Sequence, residues 1–297
     1  MENVISIQLF RLLKIWIFAS LLFALSIEQA AFGCTIVMAS QDELVLVGNN
    51  EDRAHIETVV SFIPSDGKNN GAILFGYDDA PFQGGMNDKG LFIDGNALPP
   101  TGWRAESGKS EWREDSFRKL LGLSATEKDA ENFIKYILLN FATVAEVKDF
   151  MNKYNHPVLA NAKFPVADRT GASMIFEFGQ GRVQSVERNG WYQISTNFVY
   201  SNITDPNYSC WRYREAEKSF KQAKKLDLPL IRGILKATHQ EDEQWIYTVY
   251  SNIYDLKSGV VYLYNRSNFE KVVRIDLDEE LRKGKRVVTL PSLFDSN

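Results

Sequence analysis

Two cysteines and three histidines are all that the sequence holds of the side chains that bind soft metals or titrate near neutrality. His55, His156 and His239 stand far apart, and none belongs to the paired spacing that seats zinc on a helix. Cys34 and Cys210 lack zinc spacing too. Neither a metal site nor a cofactor is therefore expected. No G-x-S-x-G elbow offers a serine nucleophile. No glycine-rich loop is set to cradle phosphate, and no Cys–His couple of the papain kind is apparent. Charge of one sign is equally scarce. With 34 basic and 38 acidic residues the net charge is −4, and no like-charge run breaks the chain. This balance predicts no nucleic-acid partner. Hydrophobic residues at 44% and charged residues at 24% are an ordinary globular mixture. Neither a repeat nor a composition break marks a linker, so residues 34–297 are expected to form a single domain.

Long apolar runs are also missing, with one exception near the amino terminus. Arg11 and Lys14 precede IWIFASLLFALSI (15–27), and Ala31-Phe32-Gly33 closes the segment with small residues. This is the order of a cleavable export signal. The apolar stretch is short for a membrane span, which needs about 20 residues. Residues 1–33 are read as a signal peptide, which makes the protein periplasmic or secreted and leaves nothing inserted in a membrane. An uncleaved anchor and a lipidated Cys34 are the alternatives. A disulfide between Cys34 and Cys210 is a third, since it is the usual state of paired cysteines in an exported chain.

Cleavage between Gly33 and Cys34 would leave one residue carrying both a thiol and an α-amine. Their ordinary pKa values, about 8.5 and about 7.7–8.0, lie close enough for a proton to pass between them at little cost. A nucleophile with its own base is a start for acyl transfer.

After Cys34 the chain reads as strands: TIVMAS, ELVLVGN, TVVSFIP, GAILFGY and GLFIDGNAL. A polar loop with Trp103 and Trp112 follows. Helices are predicted over Arg113–Leu123, over Glu127–Leu139 behind Thr126, and over Val144–Tyr154 behind Thr143. Strands resume with the hairpin PVADRTG/ASMIFEFG and the pair RVQSVERNG/WYQISTNF. Two further helices, Ser209–Lys225 and Leu228–His239, precede strands in QWIYTVYSNIYD, GVVYLYNR, EKVVRIDL and RVVTL. Strands grouped with strands predict an α+β fold with two antiparallel sheets stacked face to face and helices outside.

Five stretches resemble, in order, the choloylglycine hydrolase and penicillin V acylase group. They are Cys34-Thr35 with Gly48-Asn49-Asn50-Glu51-Asp52, then GGMNDKGLFIDGNALPP (84–100), VADRTGASMIFEF (166–178), QISTNF (193–198) and WRYREAE (211–217). Carcinine hydrolase and isopenicillin N acyltransferase-like proteins share much of this outline. The resemblance implies a four-layer αββα fold of the N-terminal-nucleophile hydrolases and hydrolysis of a linear N-acyl amide through a thioester on the cysteine. It places Cys34 as nucleophile and Asp52 as the carboxylate beside its amine. Asn197 and the backbone N–H of Ala97, next to Asn96, fall on the oxyanion donors. Arg214 or Arg212 falls on the arginine near the nucleophile. One position departs: Asn49 stands where the group often carries arginine, which leaves the thiol's electrostatic support to Arg53, Arg214 or the terminal ammonium. Tyr77, Phe82, Trp103 and Trp112 are candidates to line an acyl pocket, and core packing is the other reading of these aromatics. An acyltransferase of the same fold and an inactive exported binding protein are the alternative functions. Relatives of this kind often assemble into tetramers, so a homo-oligomer is one expected state.

Overall fold

The computed structural model describes residues 33–53, 57–77, 80–112, 132–204, 210–242 and 246–295. The described strands form two antiparallel sheets. In the first, β11 (Tyr192–Ser195), β1 (Thr35–Gln41), β2 (Leu44–Arg53), β13 (Ile246–Asp255), β14 (Val260–Asn265) and β15 (Val272–Asp276) lie side by side, and the short β12 (Glu241–Asp242) pairs with β13. In the second, the order is β10 (Arg182–Glu187), β9 (Ser173–Gly179), β8 (Ala162–Asp168), β6 (Leu91–Asp94), β5 (Ala80–Asn87), β4 (Ala72–Tyr77), β3 (Thr58–Ile63) and β16 (Arg286–Thr289). The two-residue β7 (Asn96–Ala97) pairs with β8.

Side-chain alternation fixes the layers, because successive residues of a strand point to opposite faces. Val45 and Val47 of β2 meet Val60, Phe75 and Phe92 of the second sheet in the space between the sheets. Leu46, between them in sequence, packs instead with Val37, Ile194 and two helices, α3 (Trp211–Gln222) and α4 (Leu228–Thr238). On the far side, Leu74, Ile93, Val166 and Phe176 of the second sheet pack with α1 (Phe133–Asn140) and α2 (Val144–Lys153). The result is helix, sheet, sheet, helix, as the motif resemblance implies. Two short helices, α5 (Leu277–Arg282) and α6 (Ser292–Asp295), flank β16.

Local chemistry explains the helix ends. Thr143 and Glu146 form a reciprocal capping box at α2. Asp227 accepts from the Leu230 N–H at the start of α4. Asn132 accepts from the Lys135 N–H at the head of α1, and the expected part of this helix from Glu127 to Glu131 lies outside the described residues. The helix expected over Arg113–Leu123 and the cap at Thr126 lie outside the described residues.

Two strand expectations change. RVQSVERNG and WYQISTNF do not pair with each other: β10 lies against β9 in the second sheet, whereas β11 crosses over and pairs with β1 in the first. The Asn189-Gly190 turn signal between them changes sheet instead of closing a hairpin. Strand β5 was not expected, because Pro81, Gly84 and Gly85 are poor strand formers. Its glycines are there for space. A Cβ on Gly84 would stand 2.1 Å from Oδ2 of Asp94, its partner on β6.

Candidate active site

Cys34 lies at the head of β1, 5% exposed. β1 and β2 pair in the register Thr35↔Asn50, which puts Cys34 across from the end of β2. Along that end the two-residue alternation sends side chains both ways. Asn50 and Asp52 point to the helix layer, where Asn50 Nδ2 donates to the Leu235 carbonyl (2.9 Å) and Asp52 meets α3. Asn49 and Glu51 point between the sheets.

On the helix side, Arg212 is the organising group. Its Nη1 donates to the Cys34 carbonyl (2.6 Å) and to Thr35 Oγ1 (3.2 Å), and its Nη2 donates to Asn197 Oδ1 (3.1 Å). Nη1 also lies 3.8 Å from Asp52 Oδ2. A planar guanidinium holds several acceptors in a fixed fork, whereas an ammonium is a single point of charge on a flexible stem. Of the two arginines that the sequence offered, Arg212 reaches Cys34. Arg214 lies on the exposed face of α3, since residues two apart on a helix do not share a side.

Asp52 is fully enclosed. Gln240 Nε2 donates to its Oδ2 (2.8 Å) and to the Gly33 carbonyl (3.1 Å), and Thr248 Oγ1 donates to its Oδ1. Burial pushes the Asp52 carboxyl up to about 7, against the pull of Arg212, Thr248 and Gln240. Asn197 is held at both ends. Arg212, a pure donor, fixes Oδ1, and Nδ2 therefore faces the Ala97 carbonyl at 2.9 Å. The side-chain donor and the Ala97 peptide unit are thus neighbours. Ser195 Oγ donates to Asn96 Oδ1, while Asn96 Nδ2 is buried with no partner among the described residues.

Behind this segment lies a buried pair that the sequence reading missed. Lys163 of β8 donates to the Phe198 carbonyl (2.7 Å) and stands 3.9 Å from Glu177. Glu177 in turn accepts from the N–H groups of Tyr200 and Ser201. Burial lowers the Lys163 ammonium to about 8.

The second group missed surrounds the sulfur from between the sheets. Cys34 Sγ lies 3.4 Å from Glu51 Oε2, and Tyr77 OH donates to Glu51 Oε1 at 2.6 Å. Asn49 Nδ2 donates to Asp94 Oδ2 at 3.1 Å. Alternation along β2 and β6 was the available signal, since Glu51 and Asp94 share a face with Val47 and Phe92. Cation support for the sulfur is replaced by its opposite. Burial first, then Glu51 and Asp52, raise the Cys34 thiol well above its ordinary value, although a main-chain hydrogen bond from Asp52 draws it down. Arg53 lies over the Tyr77 ring, 4.3 Å from its centroid.

Other expected residues lie elsewhere. Phe82, Trp103 and Trp112 pack against the cluster formed with α1 and α2, the core reading of these aromatics. Both cysteines are free thiols, and Cys210 lies 3.2 Å from Thr196 Oγ1. His156 is buried among Trp112, Phe133, Phe150 and Tyr154. His55 lies outside the described residues.

No protein-family model matches the chain, and no curated protein matches it. Solved structures do. A cysteine-to-alanine mutant of the conjugated bile acid hydrolase from Clostridium perfringens superposes with a TM-score of 0.64 at 19% identity, covering 86% of this chain and 96% of that one. An arginine-to-leucine variant of the same hydrolase gives 0.57 at 19% identity with the same coverage. Penicillin V acylase from Agrobacterium tumefaciens gives 0.56 at 15% identity, covering 86% of this chain and 90% of that one. With its two stacked antiparallel sheets between helix layers, the chain has the fold of conjugated bile acid hydrolase and penicillin V acylase.

Proposed function

We propose that the protein is a cysteine amidohydrolase that cleaves the C–N bond of linear N-acyl amides through an acyl-thioester on Cys34, after export and removal of residues 1–33. The observation that carries this reading is the convergence on one point of Cys34, Asp52, Asn197 and Arg212, from β1, β2, the end of β11 and α3. In the full chain the Cys34 nitrogen is part of the peptide bond to Gly33. Cutting that bond leaves an amine at the end of β1, beside the Asp52 carboxylate and the sulfur. In the full chain burial and the nearby carboxylates favour the thiol over the thiolate, so the reaction needs a base at hand. Asn197 Nδ2 and the Ala97 N–H are the donors for the oxyanion, and loss of one such donor costs about 10²–10³ in rate. Arg212 orients Asn197 and lies over Asp52, which ties the oxyanion side of the site to the amine side.

The test is mass spectrometry of the exported protein with a panel of N-acyl amides that includes a conjugated bile acid and penicillin V. The expected product starts at Cys34 and gains an acyl group on that residue. Cys34→Ser is expected to fold and to lose amidase activity by orders of magnitude. A natural amino terminus elsewhere, a lipid on Cys34, or full turnover by Cys34→Ser would each overturn the proposal.

A further inference from the structure

The face of Cys34 turned away from Asp52 meets a second carboxylate. Glu51 lies between the sheets, 2% exposed, with Oε2 3.4 Å from Sγ and Oε1 capped by Tyr77 OH at 2.6 Å. Around it stand Tyr250 and Tyr254 of β13, Asp94 of β6 and, on its own strand, Asn49, Asp52 and Arg53. Asp94 is already held by Asn49 Nδ2 (3.1 Å) and by the Gly95 N–H (2.7 Å). Asn49 Oδ1 and Tyr250 OH are buried without partners among the described residues. A buried carboxylate is costly unless it is hydrogen-bonded, and both oxygens of Glu51 have a donor, one of them the thiol. Burial and the neighbouring carboxylates outweigh the one main-chain hydrogen bond that favours a thiolate, so the arrangement holds a thiol with its proton facing Glu51.

We propose that Glu51 is a catalytic base that takes the proton of the Cys34 thiol from the interior side, leaving the α-amine to serve the substrate nitrogen. The inference rests on Cys34 being the nucleophile of the proposed function. In acylation the S–H proton passes to Glu51 Oε2. The sulfur pair forms the S–C bond as the carbonyl π pair moves to oxygen. Collapse then breaks the C–N bond, and the leaving nitrogen takes a proton from the α-ammonium. In deacylation water attacks the thioester and gives its proton to the α-amine. The S–C bond breaks, and Glu51 returns its proton to the sulfur. Protons and electrons balance over the cycle: one amide and one water become one acid and one amine.

Thiol alkylation by iodoacetamide, followed at Cys34 by peptide mass in the processed protein, tests the base directly. For the native protein the rate is expected to rise with pH in two steps, first as Glu51 loses its proton and then as the free thiol ionises. Glu51→Gln is expected to lose the first step, to keep the later rise over which the α-amine and the free thiol titrate, and to react about tenfold or more slowly at neutral pH. If Glu51 merely repels charge on the sulfur, Glu51→Gln reacts as fast or faster there, and the proposal is overturned. Tyr77→Phe supplies a second arm should Glu51→Gln fold poorly. Losing a donor to the charged carboxylate raises its proton affinity, so the first step should move up by about one pH unit. A first step that stays in place overturns the assignment. Full amidase activity in Cys34→Ser would sink the proposed function instead, so the two failures are distinct.

Discussion

At the residue scale, the site depends on which way each side chain faces, and the motifs carried that information unevenly. Asn197 and Asp52 lie within a few ångströms of Arg212, and no motif announced that the three would meet. The choice between Arg212 and Arg214 needed the rotation of α3, which two arginines flanking Tyr213 in WRYRE do not reveal. Arg212→Leu would leave Asp52 buried without its cation, and a broken buried pair typically costs about 3–5 kcal/mol. The expected result is a large fall in melting temperature, greatest above pH 7, where Asp52 is most ionised because its carboxyl sits at about 7. Arg214→Leu, on the exposed face, is expected to cost less stability than Arg212→Leu and to turn over like the native protein; equal effects of the two substitutions would contradict this assignment. Glu51 was the hardest residue to read. A carboxylate next to another carboxylate at a strand end looks solvated in sequence, and only the alternation begun by Val45 and Val47 sends it inside.

At the element scale, the strands that escaped the sequence reading are those where packing overrode propensity. β5 carries glycine where neighbouring chain comes too close for any side chain: a Cβ on Gly85 would stand 2.2 Å from the Ile73 carbonyl. Gly84→Ala forces its Cβ into the Asp94 carboxylate and should destabilise by about 1–3 kcal/mol, as overpacking does. The same change also pushes Asp94 off Asn49. Gly233, inside α4 and exposed, offers the contrast, since a Cβ there meets nothing within 4 Å. Gly233→Ala should stabilise by about 0.5–1 kcal/mol through helix propensity alone. Thermal melts of the two variants should move in opposite directions, and movement in the same direction would argue against the close approach at β5. By contrast, the helix starts at Thr143 and Asp227 were legible or nearly so, because their caps are local chemistry.

At the scale of the whole molecule, the two helix–sheet interfaces respond to pH through different groups. His156 is enclosed by aromatic rings beside α2, and burial holds its imidazole down at about 4. A group depressed from its ordinary 6.5 stabilises the fold above that value and loses this contribution as pH falls toward 4, a swing of about 3 kcal/mol. Asp52 acts in the other direction, because its raised carboxyl favours the fold at low pH and loses that contribution as pH rises from 3.8 toward 7. His156→Leu should therefore melt with a flatter acid dependence between pH 6.5 and 4 than the native protein. An unchanged slope would mean that His156 is charged in the fold. In the sequence the wide spacing of the histidines argued against a metal pair and carried no sign that His156 is core. The connectivity of the first sheet has one more implication, for assembly. β2 rests on β13, and the bond between Asp52 and Thr248 joins residues 196 positions apart. Such distant pairing makes for slow folding, because loop closure precedes any reward. During synthesis the head of the chain must wait, unpaired on that side, until the last quarter has emerged. A ribosome that stops early therefore yields a product with Cys34 but without the strand that completes its carboxylate wall.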